Sequence, residues 1–181
     1  MIMNCLGTEH ASMECYYEGD QIRFCGGSEI QDALFVNFPN ITFEGIPLKN
    51  CTFKDCQEVF VHGCTLDGCR YENVSLAYAQ FSNLKNCVFD TCCSNGPLLT
   101  LEAEGEIEGC TFRHITALGE GGHIIRSIYQ GKEKVRPLKN CRFEDCEAES
   151  GKSVLCEYLV AVEMYKTETV DNIDHTSCHL N

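Results

Sequence analysis

The sequence predicts an all-β solenoid, a parallel β-helix whose chain winds through stacked coils. Three observations carry that prediction. A motif returns, a beat of five residues runs beneath it, and each beat has the same internal chemistry. The motif is "CTFKDC" from Cys51, which reappears as "CTLDGC" from Cys64, "CVFDTC" from Cys87, "CTFRHI" from Cys110 and "CRFEDC" from Cys141.

The beat is clearest from Ile41. The chain divides into "ITFEG", "IPLKN" and "CTFKD", slips by three residues after Cys56, resumes as "CTLDG", "CRYEN", "VSLAY" and "AQFSN", and slips again before "CVFDT". The first residue of each five is small or β-branched (Ile41, Ile46, Cys51, Cys64, Cys69, Val74, Ala79, Cys87). The third is large and apolar (Phe43, Leu48, Phe53, Leu66, Tyr71, Leu76, Phe81, Phe89), and the fifth is mostly Gly, Asn or Asp. Residues one and three face the same way in an extended segment, and the fifth tolerates turn dihedrals. Four such sides close a roughly square coil of about 20 residues, whose neighbours pair as parallel strands about 4.8 Å apart. A helix is excluded, because a period of five walks around a 3.6-residue turn and gathers no apolar face.

Over residues 41–93 the chain resembles the pentapeptide-repeat proteins, with their small or Cys first position and Leu or Phe centre. The resemblance implies a right-handed, four-sided β-helix. The second position (Thr42, Pro47, Thr52, Thr65, Arg70, Ser75, Gln80, Val88) departs from the family's usual Asp or Asn. The second half lengthens the beat. "IEGCTFRHITALGEGGHII" (107–125) and "LKNCRFEDCEAESGKSVL" (138–155) share one template and look like the right-handed parallel β-helices of the pectin-lyase type.

The ends read as caps over exposed strand edges. "ECYYEGDQIRF" predicts a hairpin about Glu18-Gly19-Asp20. In "SVLCEYLVAVEMYK" the spacing of Leu155, Tyr158, Leu159 and Val162 predicts a C-terminal capping helix, with a last strand as the alternative. The expected organisation is an N-terminal cap over 1–37, repeats over 38–155 (pentapeptide-like in 41–93, longer coils in 94–155), and a C-terminal cap with a polar tail over 156–181.

Composition narrows function. The 27 acidic and 14 basic residues leave a net charge of −13, spread along both halves. That surface disfavours nucleic acid and anionic membranes as direct ligands and suits a basic protein partner. The first twenty residues lack a basic start and an apolar run, and no stretch reaches the roughly 18 apolar residues of a membrane span. The expectation is a cytoplasmic protein whose 15 cysteines stay reduced.

Four C-x4-C pairs (51/56, 64/69, 87/92, 141/146) have zinc-like spacing. Yet the same position accepts Ile41, Val74 and Ala79, which no ligand set does, so these cysteines are read as small wall-lining residues. The repeat histidines His62 and His114 are expected to point outward. Cys92-Cys93 and the tail set His175, Cys178 and His179 are the more open thiol and imidazole groups. "ESGKS" lacks the leading glycine of a phosphate loop, since Cys146 stands there. No catalytic residue, metal ligand or cofactor site is assigned.

One pattern rises above this background. "LEAEGEIEG" places Glu102, Glu104, Glu106 and Glu108 at period two, so on a single strand all four carboxylates would leave one face about 6.6 Å apart. Like charges so aligned repel unless a cation or basic partner meets them. They form the predicted partner-binding stripe.

The functional expectation is a non-catalytic interaction or scaffold protein with an acidic surface, which includes imitation of duplex DNA before a nucleic-acid-binding protein. Against mimicry stand Lys49, Lys54, Arg70 and Lys85 on the repeats. The alternative is a polysaccharide-binding or -cleaving β-helix, for which Arg126 and Arg136 lie near the glutamates. An end-to-end homodimer through an exposed terminal coil is a further expectation.

Overall fold

The computed structural model describes residues 14–18, 21–102, 105–119, 121–129, 138–149, 154–158, 168–170 and 179–180. They form a right-handed parallel β-helix, and no helix occurs among them.

The strands fall on walls. The first wall carries the longer strands, among them Gln21–Cys25, Asn40–Glu44, Glu58–His62, Leu76–Gln80, Leu99–Glu102, Ile125–Tyr129 and Val154–Tyr158. The second holds Ile30–Gln31, Leu48–Lys49, Thr65–Asp67, Asn83–Lys85, Ile107–Glu108 and Leu138–Lys139. The third holds Leu34–Val36, Thr52–Lys54, Arg70–Glu72, Val88–Asp90, Thr111–Arg113, Arg142–Glu144 and Glu168–Val170. A fourth, of Cys93–Asn95, Thr116–Leu118 and Glu147–Ala148, arises only in the later coils.

The early coil is therefore triangular, not square. Asn40 pairs with Glu58 and Glu58 with Leu76, a rise of 18 residues per coil. The corners explain the count. Left-handed φ recurs at Gly45, Asn50 and Asp55, then Gly63, Gly68 and Asn73, then Phe81, Asn86 and Thr91. Two sides are thus five residues long and the third is eight. A five-residue side presents two inward side chains, as in 64–68, where Cys64 and Leu66 are buried. The eight-residue side carries the first-wall strand and presents three, as in 56–63, where Cys56, Val59 and Val61 are buried. What the sequence shows as a slip of three is this longer side.

The placement of the second slip corrects the predicted frame. The long side runs from Val74 to Phe81, so Ala77 and Ala79 face inward, Leu76 is only half-buried and Phe81 is 55% exposed.

The core is a set of columns. Phe35, Phe53, Tyr71, Phe89, Phe112 and Phe143 stack along the third wall with ring centroids 4.3 to 5.3 Å apart. Leu48, Leu66, Leu84, Ile107 and Leu138 line the second. Ser94, Ala117 and Ala148 line the fourth. One corner column alternates Asn50, Gly68, Asn86, Gly109 and Asn140, and the alternation has a steric cause. A Cβ on Gly68 would lie 2.6 Å from Asn50 Oδ1, and one on Gly109 would lie 2.7 Å from Asn86 Oδ1. Asn50 and Asn86 each lean over a neighbouring coil where only glycine leaves room.

At the N-terminal end, Glu14–Glu18 pairs antiparallel with Gln21–Cys25, with Glu18 opposite Gln21, and parallel pairing then runs on from Gln21 to Asn40. At the other end, Val154–Tyr158 is a strand paired parallel with Ile125–Tyr129. The helix predicted from Leu155 and Tyr158 does not form there. In-register strand addition satisfies that segment's backbone groups through the first wall. Leu159 and Val162 lie outside the described residues.

Candidate functional site

The repeat cysteines occupy one position, the first inward residue after each left-handed corner. Their thiols donate to two carbonyls, one two residues back and one on the coil below. Cys64 Sγ reaches His62 O and Phe43 O at 3.4 Å each. Cys51, Cys56, Cys69, Cys87, Cys92, Cys110, Cys141 and Cys146 repeat the pattern. Ser82 stands at the same position with the same two bonds, to Gln80 O at 2.8 Å and Val61 O at 3.3 Å. The position also takes Ile46, Val74 and Ile115, all buried, so it selects for size and shape, and the carbonyl bonds are made where Cys or Ser occupies it.

These thiols are poor nucleophiles. Burial pushes Cys92 and Cys146 up to about 11, and a thiolate is the reactive form. Among the described residues no three His, Cys, Asp or Glu side chains gather as metal ligands. Nine described cysteines are buried, Cys25 is half-buried and Cys93 is exposed. Iodoacetamide on the native protein is therefore expected to label Cys93 fast and to spare Cys51, Cys69, Cys87 and Cys110 until denaturant is added. Peptide mass mapping checks this, and rapid native labelling of Cys87 would contradict it.

The glutamate stripe does not lie on one strand. Glu102 ends a first-wall strand, Ile107–Glu108 belongs to the second wall, and Glu104 lies outside the described residues. Glu102 and Glu108 therefore belong to strands of different walls. On the second wall, the outward row in register is Lys49, Asp67, Lys85, Glu108 and Lys139. Lys85 Nζ approaches Glu108 at 3.9 Å, and Lys139 Nζ donates to Glu106 at 2.8 Å. Lysines from neighbouring coils thus pair with Glu106 and Glu108.

Sequence reasoning missed a polar cluster on the third wall. Asp90, with a side chain only 12% exposed, accepts from Arg70 Nη2 and Arg113 Nη2 at 2.7 Å each, from His114 Nδ1 at 3.0 Å and from Thr91 Oγ1 at 3.1 Å. Arg70 also bonds Glu72, in register with Asp90. His62 and His114 both point outward, His114 with Asp145 3.7 Å from Nε2. The signal was present: with an 18-residue coil Arg70 falls opposite Val88, and Asp90 lies two residues on along the same face. Phe81 was missed for the opposite reason. It occupies a corner, where turn chemistry gives no hint of a phenylalanine.

No protein-family model and no curated protein matches the chain. Among solved structures it is similar to QnrB1, described as a plasmid-mediated fluoroquinolone resistance protein. The two share 10% identity over 78% of this chain and 90% of that one, with a TM-score of 0.26. The fold description rests on the strand pairing and not on this likeness.

Proposed function

We propose that the protein is a non-catalytic scaffold whose acidic surface meets a basic protein partner. The observation that carries this reading is the presentation of outward side chains in straight rows on flat walls. Several outward residues are held by neighbours one coil away, as in Asn40 to Glu58 at 2.7 Å and Arg70 to Asp90 at 2.7 Å. Such a surface is preorganised, so little ordering cost falls on association. The buried repeat thiols sit on carbonyls and Asp90 sits between two guanidinium groups. The alternation of charge on the second wall weighs against an unbroken phosphate-like row there, so the reading does not depend on DNA mimicry.

The immobilised protein, and a variant with Glu102, Glu104, Glu106 and Glu108 changed to Gln, are to be challenged with cell extract at low and high salt. Identified basic proteins retained at low salt, released by high salt and lost in the variant support the reading. Retention of nothing at either salt sinks it.

A further inference from the structure

We infer that Phe81, with the His62 ring against it, anchors the partner-binding surface and receives an apolar side chain flanked by arginine or lysine. This rests on the scaffold reading above and gives it a location.

The backbone is the first argument. At the corner between the first and second walls, earlier coils place Gly45 with φ 64° and Gly63 with φ 63°; the next coil places Phe81 with φ 50°. A bulky residue is a genuine outlier in that region, and strain of this kind gathers at functional positions. The fold makes little use of the ring. It is 55% exposed, whereas Phe24, Phe35, Phe43, Phe53, Phe89, Phe112 and Phe143 are all buried to 1% or less.

The surroundings form the second argument. His62 meets Phe81 edge to face, with ring centroids 5.6 Å apart. The imidazole is held in place by Gln80, whose side-chain oxygen lies 2.9 Å from Nδ1. On the same two strands Phe60 and Tyr78 form a second ring pair at 5.8 Å. Four rings thus share one patch of adjacent coils, which is the composition of an interface anchor.

Charge selects the occupant. Along the first wall Glu44 pairs in register with His62, and His62 with Gln80, while Glu58 faces Leu76. Beyond the corner, Glu106 is half-exposed. Arg23 and Lys139 each bond one of these acids, and the chain as a whole carries −13. A guest with an apolar side chain for the ring and a cation for the rings and carboxylates meets both features.

The test uses a fluorescein-labelled nonapeptide of alternating arginine and leucine, with a glutamate–leucine peptide and a neutral glucan hexasaccharide alongside. Phe81→Gly restores the residue that this corner takes at positions 45 and 63, and Phe81→Asn supplies another side chain tolerant of the conformation. Both variants are expected to keep or raise the denaturation midpoint while weakening the arginine–leucine peptide about tenfold or more. Unchanged peptide binding by both variants overturns the Phe81 anchor. If that binding is salt-sensitive and lost in the glutamine variant of 102–108, the general scaffold reading survives. Binding of the glucan in place of the peptide overturns both.

Discussion

Phe89→Ala is expected to destabilise the protein by about 3–5 kcal/mol, the range for emptying a phenylalanine site in a close-packed core. Phe89 is fully buried, with ring centroids 4.3 Å from Tyr71 and 4.8 Å from Phe112. In a solenoid each coil is supported only by the coils on either side, so a gap here interrupts the column that joins the two halves. The neighbours are held by strand registers on three walls and have little freedom to close the space. Urea unfolding followed by circular dichroism measures the loss, with Thr52→Ala, on the outer face of the same wall, as a control expected to change stability by about 0.5 kcal/mol or less. A loss below about 1 kcal/mol for Phe89→Ala would mean that the coils repack freely.

Asp90→Ala is expected to cost about 2–4 kcal/mol. Removing one member of a buried charge cluster strands its partners. The lower end of the range applies because the Arg70 and Arg113 side chains are each 36% exposed and water recovers part of the loss. The carboxylate also predicts a pH dependence. Burial alone would raise its pKa, but the hydrogen bonds from Arg113, His114 and Thr91 outweigh burial and hold it well below the usual carboxylate range. With the folded value below the unfolded one of about 3.9, the stabilisation is complete above the unfolded value and is lost as pH falls through the folded one. The stability difference between the native protein and Asp90→Asn should therefore narrow between about pH 5 and pH 2. A difference that stays constant over that range would show that the carboxylate is not held ionised by its partners.

The beat was legible because Gly, Asn and Asp mark corners through a local backbone property. Gly45, Asn50, Asp55, Gly63, Gly68 and Asn73 all take the left-handed conformation their chemistry favours. Phe81 breaks that rule, so counting from local chemistry misplaced the frame across Val74–Asn83 and put Leu76 and Phe81 in the core while leaving out Ala77; Ala79, read as inward, is buried. The cysteines were legible as wall-lining residues, since Ile and Val share their positions. Their bonds to carbonyls one coil below were not, because a donor's partner 21 residues away follows from coil length. The glutamates were misread for a related reason. A period of two is a strand pattern only if the chain stays straight, and Glu102 and Ile107 belong to strands of different walls.

Local chemistry is enough to make the chain an all-β parallel coil, with inward Phe, Leu and Cys columns and turns every few residues. Those properties arise from alternation and dihedral preference, which act within five residues. Contacts between coils give the early coil its three sides, gather Arg70, Arg113 and His114 about Asp90, and set lysines between the acids of the second wall. Each depends on register between coils 18 or more residues apart, which the packing of whole walls sets and no local pattern encodes.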